Sequence, residues 1–217
     1  MNTCPTFEIA DPRPLAAEAP YTFFLPTVRE IAALAPGDYV KLIFELVPPG
    51  EQWGAERMWV ELIEVGVGKM AGTVANDPQE AGSPKKGDYV TFEPHHIIQV
   101  DYADTKRAPP LEARHEHWER CMVDACVVDG SEPVEYLYRE TPDLDQEGDR
   151  FPDSGWRIRG RQGAASDSAM DERDSLYVAL GVVLNRDDSW LPLIHAPVGA
   201  AFRRNFDTGD YEPVRRG

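Results

Sequence analysis

From Trp156 onward, the stretch Asp153-Ser154-Gly155-Trp156-Arg157-Ile158-Arg159-Gly160-Arg161 alternates apolar and basic residues. A period of two is that of a β-strand, whose successive side chains face opposite ways. Trp156 and Ile158 then share a face that is expected to be buried. Arg157, Arg159 and Arg161 share the other, lined with guanidinium groups. The second half of the chain is expected to pack around this strand.

The arginine stripe admits two readings. It is internal, neutralised across the sheet by Glu135, Glu140 or the acids of 143–149. Otherwise it is a planar donor array that, with Asp153 and Ser154, faces a carboxylate or phosphate on a partner. Trp156, Gly155 and the earlier Trp59 are read as structural. A buried Trp156 indole N–H needs an acceptor.

Around this strand the pattern predicts a connecting helix over 106–120, entered through Pro110, with Leu111, His115, Trp118 and Met122 on one face. A β-hairpin is expected from Met122–Val128 and Val134–Arg139, turning at Asp129-Gly130. Asp174 or Ser175 is suited to cap a helix in which Leu176, Leu180, Val183 and Leu184 share a face. Val198 to Arg204 reads as a further strand with Val198, Ala200 and Phe202 inward. Residues 121–217 are thus an α+β domain, an antiparallel sheet carrying one main helix.

Residues 1–20 hold Pro5, Pro12, Pro14 and Pro20 and read as an extended arm. Thr27-Val28-Arg29-Glu30 fits a capping box, so a short helix is expected to about Leu34. Strands follow at Tyr39–Phe44, Met58–Val65, Lys69–Ala75, Tyr89–Phe92 and Ile97–Val100. Gly-Asp-Tyr-Val occurs at 37–40 and again at 87–90, a recurrent turn into a strand. Short strands separated by glycine turns predict a small curved β-sheet or SH3-like barrel over 21–105. All five lysines precede Arg107, and Pro109-Pro110 follows, which places a boundary near residue 105.

Two resemblances follow from these residues. The DSGWR run, with Tyr136-Leu137-Tyr138-Arg139-Glu140-Thr141-Pro142 and Leu191-Pro192-Leu193-Ile194-His195-Ala196-Pro197-Val198-Gly199-Ala200-Ala201-Phe202, resembles a bacterial family of unknown function grouped with immunity proteins of polymorphic toxin systems. The resemblance runs from about Cys121 to the C-terminus. Where that family carries an acidic Gly-Asp-Glu-like run after DSGWR, this chain reads Gly160-Arg161-Gln162-Gly163. Residues 36–101 resemble a second family of uncharacterised bacterial domains, through Arg57-Met58-Trp59-Val60-Glu61, Gly72-Thr73-Val74-Ala75-Asn76-Asp77-Pro78 and Gly87-Asp88-Tyr89-Val90-Thr91-Phe92 with His96-Ile97.

Several motifs fail a required position. Gly66-Val67-Gly68-Lys69-Met70-Ala71-Gly72 has Ile63 where a P-loop needs glycine and Met70 where it needs Ser or Thr, so it is a hairpin turn. Asp143, Asp145, Glu147, Gly148 and Asp149 begin like a calcium loop, but the bidentate acid is replaced by Ser154. His115, His117, Cys121 and Cys126 lack zinc spacing. No cofactor and no metal are expected.

The chain has 22 Lys plus Arg against 38 Asp plus Glu, a formal net charge of −16. That disfavours nucleic acid and anionic membranes as partners. Three scattered cysteines, no secretory leader pattern and no spanning apolar run point to a cytoplasmic protein with reduced thiols. By resemblance, the first expectation is a non-enzymatic binding protein that docks on a toxin, with the acidic surface favouring a basic one. The rival is a small-molecule-binding or enzymatic protein with Arg157, Arg159 and His117 in an interdomain cleft. A third is a structural module without a ligand.

Overall fold

In the computed structural model, which describes residues 6–80, 82–144 and 146–215, the strands form two separate six-stranded sheets. Each belongs to its own unit. The first unit runs to Glu18 and resumes over Phe23–Ala113; the second takes Ala19–Thr22 and the chain from Arg114.

The first unit contains β1 (Thr6–Ile9), α1 (Arg13–Glu18), α2 (Val28–Ala32), β2 (Tyr39–Val47), β3 (Ala55–Val65), β4 (Met70–Val74), β5 (Tyr89–Phe92) and β6 (Gln99–Asp101). Thr27 and Glu30 close the expected capping box on α2. Both Gly-Asp-Tyr-Val runs form one design of turn. Gly37 and Gly87 sit at φ of 90° and 92°, and Asp38 and Asp88 each accept the backbone N–H three residues back. Positive φ at that position is what admits glycine there.

Strands β1 to β5 pair antiparallel in order. After β5, a 3-10 turn at Pro94–His96 brings β6 back to β2, where Val40 pairs with Val100. The result is a nearly closed, barrel-like sheet. Its interior is filled by Val40, Leu42, Phe44, Met58, Val60, Leu62 and Phe92. The expected arm is a correction: residues 6–9 are a strand on β2 and 13–18 a helix, because Phe7 and Ile9 alternate and pack on this core. The Phe7 ring meets Phe44 edge-on at 5.4 Å. Pro5 lies outside the described residues.

The second unit contains β7 (Arg120–Asp124), α3 (Ala125–Val128), β8 (Val134–Arg139), β9 (Asp153–Gly160), α4 (Asp167–Asp171), β10 (Ser175–Ala179), α5 (Leu180–Leu184), β11 (Ala201–Arg204) and β12 (Tyr211–Pro213). Its order is β10-β7-β9-β8-β11-β12. Strand β9 is central, parallel to β7 and antiparallel to β8. Helices α3 and α5 cover one face, where Trp156, Ile158, Leu137, Val123, Val183 and Trp190 make the core.

Four local expectations are corrected here. The β7–β8 hairpin does not form, because β9 is inserted between those strands. Asp129 and Gly130 instead end α3, with Gly130 at φ 81° and its N–H on the Val127 carbonyl. Residues 175–179 are a strand, not the first turns of a helix, since Leu176-Tyr177-Val178 pairs with β7. The helix expected to reach Arg120 is absent. Leu111 is 86% exposed and has no core to dock on. The carbonyls of His117 and Glu119 are used instead to accept Gly181 and Leu180 N–H groups at the start of α5. The last strand begins at Ala201: Gly199 turns the chain at φ 92°, which leaves Val198 exposed, while Phe202, opposite Leu137, packs on the core as expected.

Candidate recognition site

The site grows from Gly155. It holds φ 80°, and a Cβ there would lie 2.1 Å from the Glu140 carbonyl oxygen, so only glycine fits. The register records the consequence. Arg120 pairs with Asp153 and Met122 with Arg157, so β9 spends two extra residues where β7 spends none. The bulge brings Asp153 beside Arg157 on one face. The Arg157 Nη1 and Nη2 donate to the two Asp153 carboxylate oxygens at 2.9 and 2.8 Å. Its Nε donates to Glu140 at 2.6 Å, and Nη2 also reaches Asp143 at 2.8 Å. Ser154 is buried and internal: its hydroxyl donates to the Arg120 carbonyl and accepts the Trp156 N–H. On the opposite face the Trp156 indole N–H finds its acceptor, the Ile194 carbonyl at 3.1 Å.

Arg159 and Arg161 differ from Arg157 and from each other. Arg159 Nε pairs with buried Asp124 at 2.9 Å and its Nη2 donates to the Met170 carbonyl. Asp124 also accepts the Gly160 N–H and lies 3.6 Å from Arg173. Arg161 is exposed and lays its guanidinium 4.5 Å from the centre of the Phe206 ring. The stripe is thus neutralised from Asp124, Glu140, Asp143 and Asp153, two of which the sequence reading had named. Glu135 takes another duty and accepts the Gln162 N–H.

Cross-strand register assembles the face opposite the helices. One row runs Tyr177, Met122, Arg157, Tyr138 over β10, β7, β9 and β8. The next runs Arg159, Tyr136, Arg203 over β9, β8 and β11. Arg203 is exposed and sits 5.7 Å from the Tyr136 ring centre; the Tyr136 and Tyr138 rings are 5.7 Å apart. A cleft of about 200 Å³ opens beside this row, lined by Tyr136, Arg159, Arg203, Glu135, Met170 and Asp171.

Residues 121–215 match the immunity protein Imm33 domain. The match takes in every strand of this sheet from Cys121 on, with the bulge and the Tyr/Arg face. Residues 18–109 match a family described as "Uncharacterized protein conserved in bacteria (DUF2314)", which covers most of the barrel-like unit. No curated protein matches the chain, and neither does any solved structure.

Electrostatics of the second unit follow from the bulge. Burial acts to raise the Asp153 carboxyl, but the Arg157 guanidinium and the Gly155 and Leu144 N–H groups outweigh it and hold its pKa below the ordinary value. The Asp153 hydrogen bonds in turn raise Arg157, which stays charged. Burial pushes the Cys121 thiol up, so it is an unreactive core group. His117 is lowered by burial.

The remaining candidates fall elsewhere. Asp143 and Asp149 of the acidic loop are consumed by Arg157 and Arg120; Asp145 lies outside the described residues. Gly66–Lys69 joins β3 to β4 as a hairpin. Trp59 is half-buried on the outside of the barrel-like sheet, with Lys41 Nζ 4.4 Å from its ring centre. The face residues Tyr136, Tyr138, Met122, Tyr177 and Arg203 were not singled out by sequence. Alternation within Val134–Arg139 already placed both tyrosines on one face, but the sheet order that sets Arg203 and Met122 beside them left no local signal.

Proposed function

We propose that this protein is an immunity protein, a non-enzymatic binder that neutralises a bacterial toxin in the cytoplasm by docking on it. The observation that carries this reading is the half-open Tyr/Arg/Met face of the Imm33 domain. Tyr and Arg dominate the energetic centres of protein interfaces. Arg157 and Arg159 are already held by buried acids, so the face loses little freedom when a partner arrives. The formal charge of −16 favours a basic toxin and would speed its capture at low salt. Cys121 and Cys126 are free thiols, which suits a reducing compartment.

For a small molecule, this face is weaker on size. The cleft of about 200 Å³ is smaller than the roughly 300–1,000 Å³ of ordinary ligand pockets.

The test is co-expression with each neighbouring gene product that proves toxic when expressed alone. Growth should be restored, and a complex should be measurable by calorimetry. Combined Arg203→Ala and Tyr136→Ala changes should abolish protection while the melting temperature holds. Absence of both rescue and complex overturns the proposal.

A further inference from the structure

Between α1 and α2 the chain leaves the first unit for a short stretch. Ala19–Thr22 belongs to the second unit, while Glu18 before it and Phe23 after it belong to the first. The stretch lies along α5 and is held by few bonds. Tyr21 N–H donates to the Asn185 side-chain carbonyl at 2.9 Å, and the Asn185 amide donates to the Thr22 hydroxyl at 2.7 Å. The Tyr21 hydroxyl donates to Asp188 at 2.9 Å. Gly181 makes room for it: a Cβ there would lie 2.7 Å from the Tyr21 carbonyl oxygen.

His117 sits against this stretch. Its ring centre is 6.1 Å from that of Tyr21, with the planes tilted by 48°. Its Nε2 is buried and, among the described residues, has no hydrogen-bond partner. A neutral Nε2 there costs less than a protonated one, which would be a buried cationic N–H without an acceptor. The Tyr21 ring offers little compensation, because at that distance and tilt the imidazole is not over its face.

The neighbouring charges act in the same direction. His115, on the same segment, and His195, just after the 3-10 turn at Leu191–Leu193, both disfavour a charge on His117. Glu119 favours one, but burial outweighs it. Asp188 is taken by the Tyr21 hydroxyl.

We propose that Ala19–Thr22 is a strap, docked on α5 while His117 is neutral and released when His117 takes up a proton. Release lifts Tyr21 off the imidazole and lets water reach it. The docked state holds the lower pKa, so the stability of the strap is whole above the free value of about 6.5 and falls as pH drops below it. One histidine of that free value, kept neutral while docked, shifts the opening equilibrium by about tenfold between pH 7.5 and 5.5. With the strap docked, the chain passes between the units at 18–19, 22–23 and 113–114; with it released, only the last passage remains. The proton state of one histidine thus sets how the chain joins the two units.

The experiment is hydrogen exchange of the full chain, read by nuclear magnetic resonance at about pH 7.5 and 5.5, with each rate corrected for the intrinsic effect of pH. The Tyr21 and Thr22 amides report the strap, since they donate to Asn185 and to the Ala19 carbonyl. Ile158, buried in β9, reports global opening. Both strap amides should be less protected than Ile158 at either pH and should lose about tenfold in protection at the lower one. In His117→Gln, which cannot take up the proton, their protection should be the same at both. Strap amides as protected as Ile158 would mean that only global unfolding frees them, which overturns the proposal. Protection that does not change with pH in the unaltered chain overturns it too, as does a loss that persists in His117→Gln. Should that variant fail to fold, the titration of the His117 ring carbons in the unaltered chain decides. A midpoint below about 6.5 upholds the linkage, and one at or above it overturns the proposal.

Discussion

Arg157 reaches back along its own strand to Asp153 and closes two contacts of 2.9 and 2.8 Å with its carboxylate. In a regular strand, residues four apart are separated by roughly 13 Å. The bulge at Gly155 makes the pair possible by fitting four residues into the length of two on β7. Glu140, from the end of β8, and Asp143 complete the shell. A cation beneath the sheet face is thereby tied to both neighbouring segments at once.

Arg157→Ala should cost about 3–5 kcal/mol, since it leaves Asp153 buried and unpaired. Arg157→Lys should recover little of this, because an ammonium cannot reproduce the planar fork. Asp143→Ala, at the exposed end of the network, should cost under about 1 kcal/mol. Urea denaturation of the three variants checks the order.

Gly155→Ala should be at least as damaging as Trp156→Ala. The first meets the Glu140 carbonyl and a φ of 80°. The second leaves a core cavity worth about 3–5 kcal/mol. A mild effect of Gly155→Ala in thermal unfolding would show that the bulge is not held by its glycine.

The outer arginines should separate. From the sequence, each would cost under about 1 kcal/mol if its side chain reached solvent. Arg159→Ala instead deprives Asp124, which is 1% exposed, of its closest cation and should cost about 1–3 kcal/mol. Arg161→Ala gives up a surface cation–π contact and should stay under about 1 kcal/mol. Chemical denaturation distinguishes equal from unequal costs.

Acid stability should fall in two stages. His117 and His96 are lowered by burial, so the unfolded chain takes up protons first and stability declines as pH drops below about 6.5. Asp153 and Asp38 are held low, the latter by Arg107 and the Ala35 and Ala103 N–H groups against its own burial. Their contribution is whole above the unfolded value of about 3.9 and is lost as pH falls through the lower folded values. Unfolding midpoints from pH 7 downward should show both limbs. His117→Gln should weaken the upper one and Asp38→Asn the lower.

Much of the local structure was legible because its cause is local. The capping box at Thr27 and Glu30, the paired Gly-Asp turns and the strand at 153–160 each depend on residues adjacent in the chain. The acceptor for Trp156 was anticipated as a need, though not as Ile194. Strand β10 was misread because Leu176 and Leu180 also satisfy a helical period, and only β7 lying alongside decides for a strand. The arm was misread because Phe7 and Ile9 make a short alternation whose value appears only once Phe44 is beside it.

By itself, the sequence determined which side chains share a face and where the chain must turn: Trp156 and Ile158 against Arg157 and Arg159, with the turns at Gly37 and Gly87. These follow from backbone geometry within a few residues. Only the tertiary structure decided that β9 lies between β7 and β8, that Asp124 and Glu140 come to the arginines, and that Tyr136 and Arg203 stand beside Arg159. Strand order is set by hydrogen bonds and burial between segments distant in the chain, and those neighbours decide whether a charged stripe is internal or available.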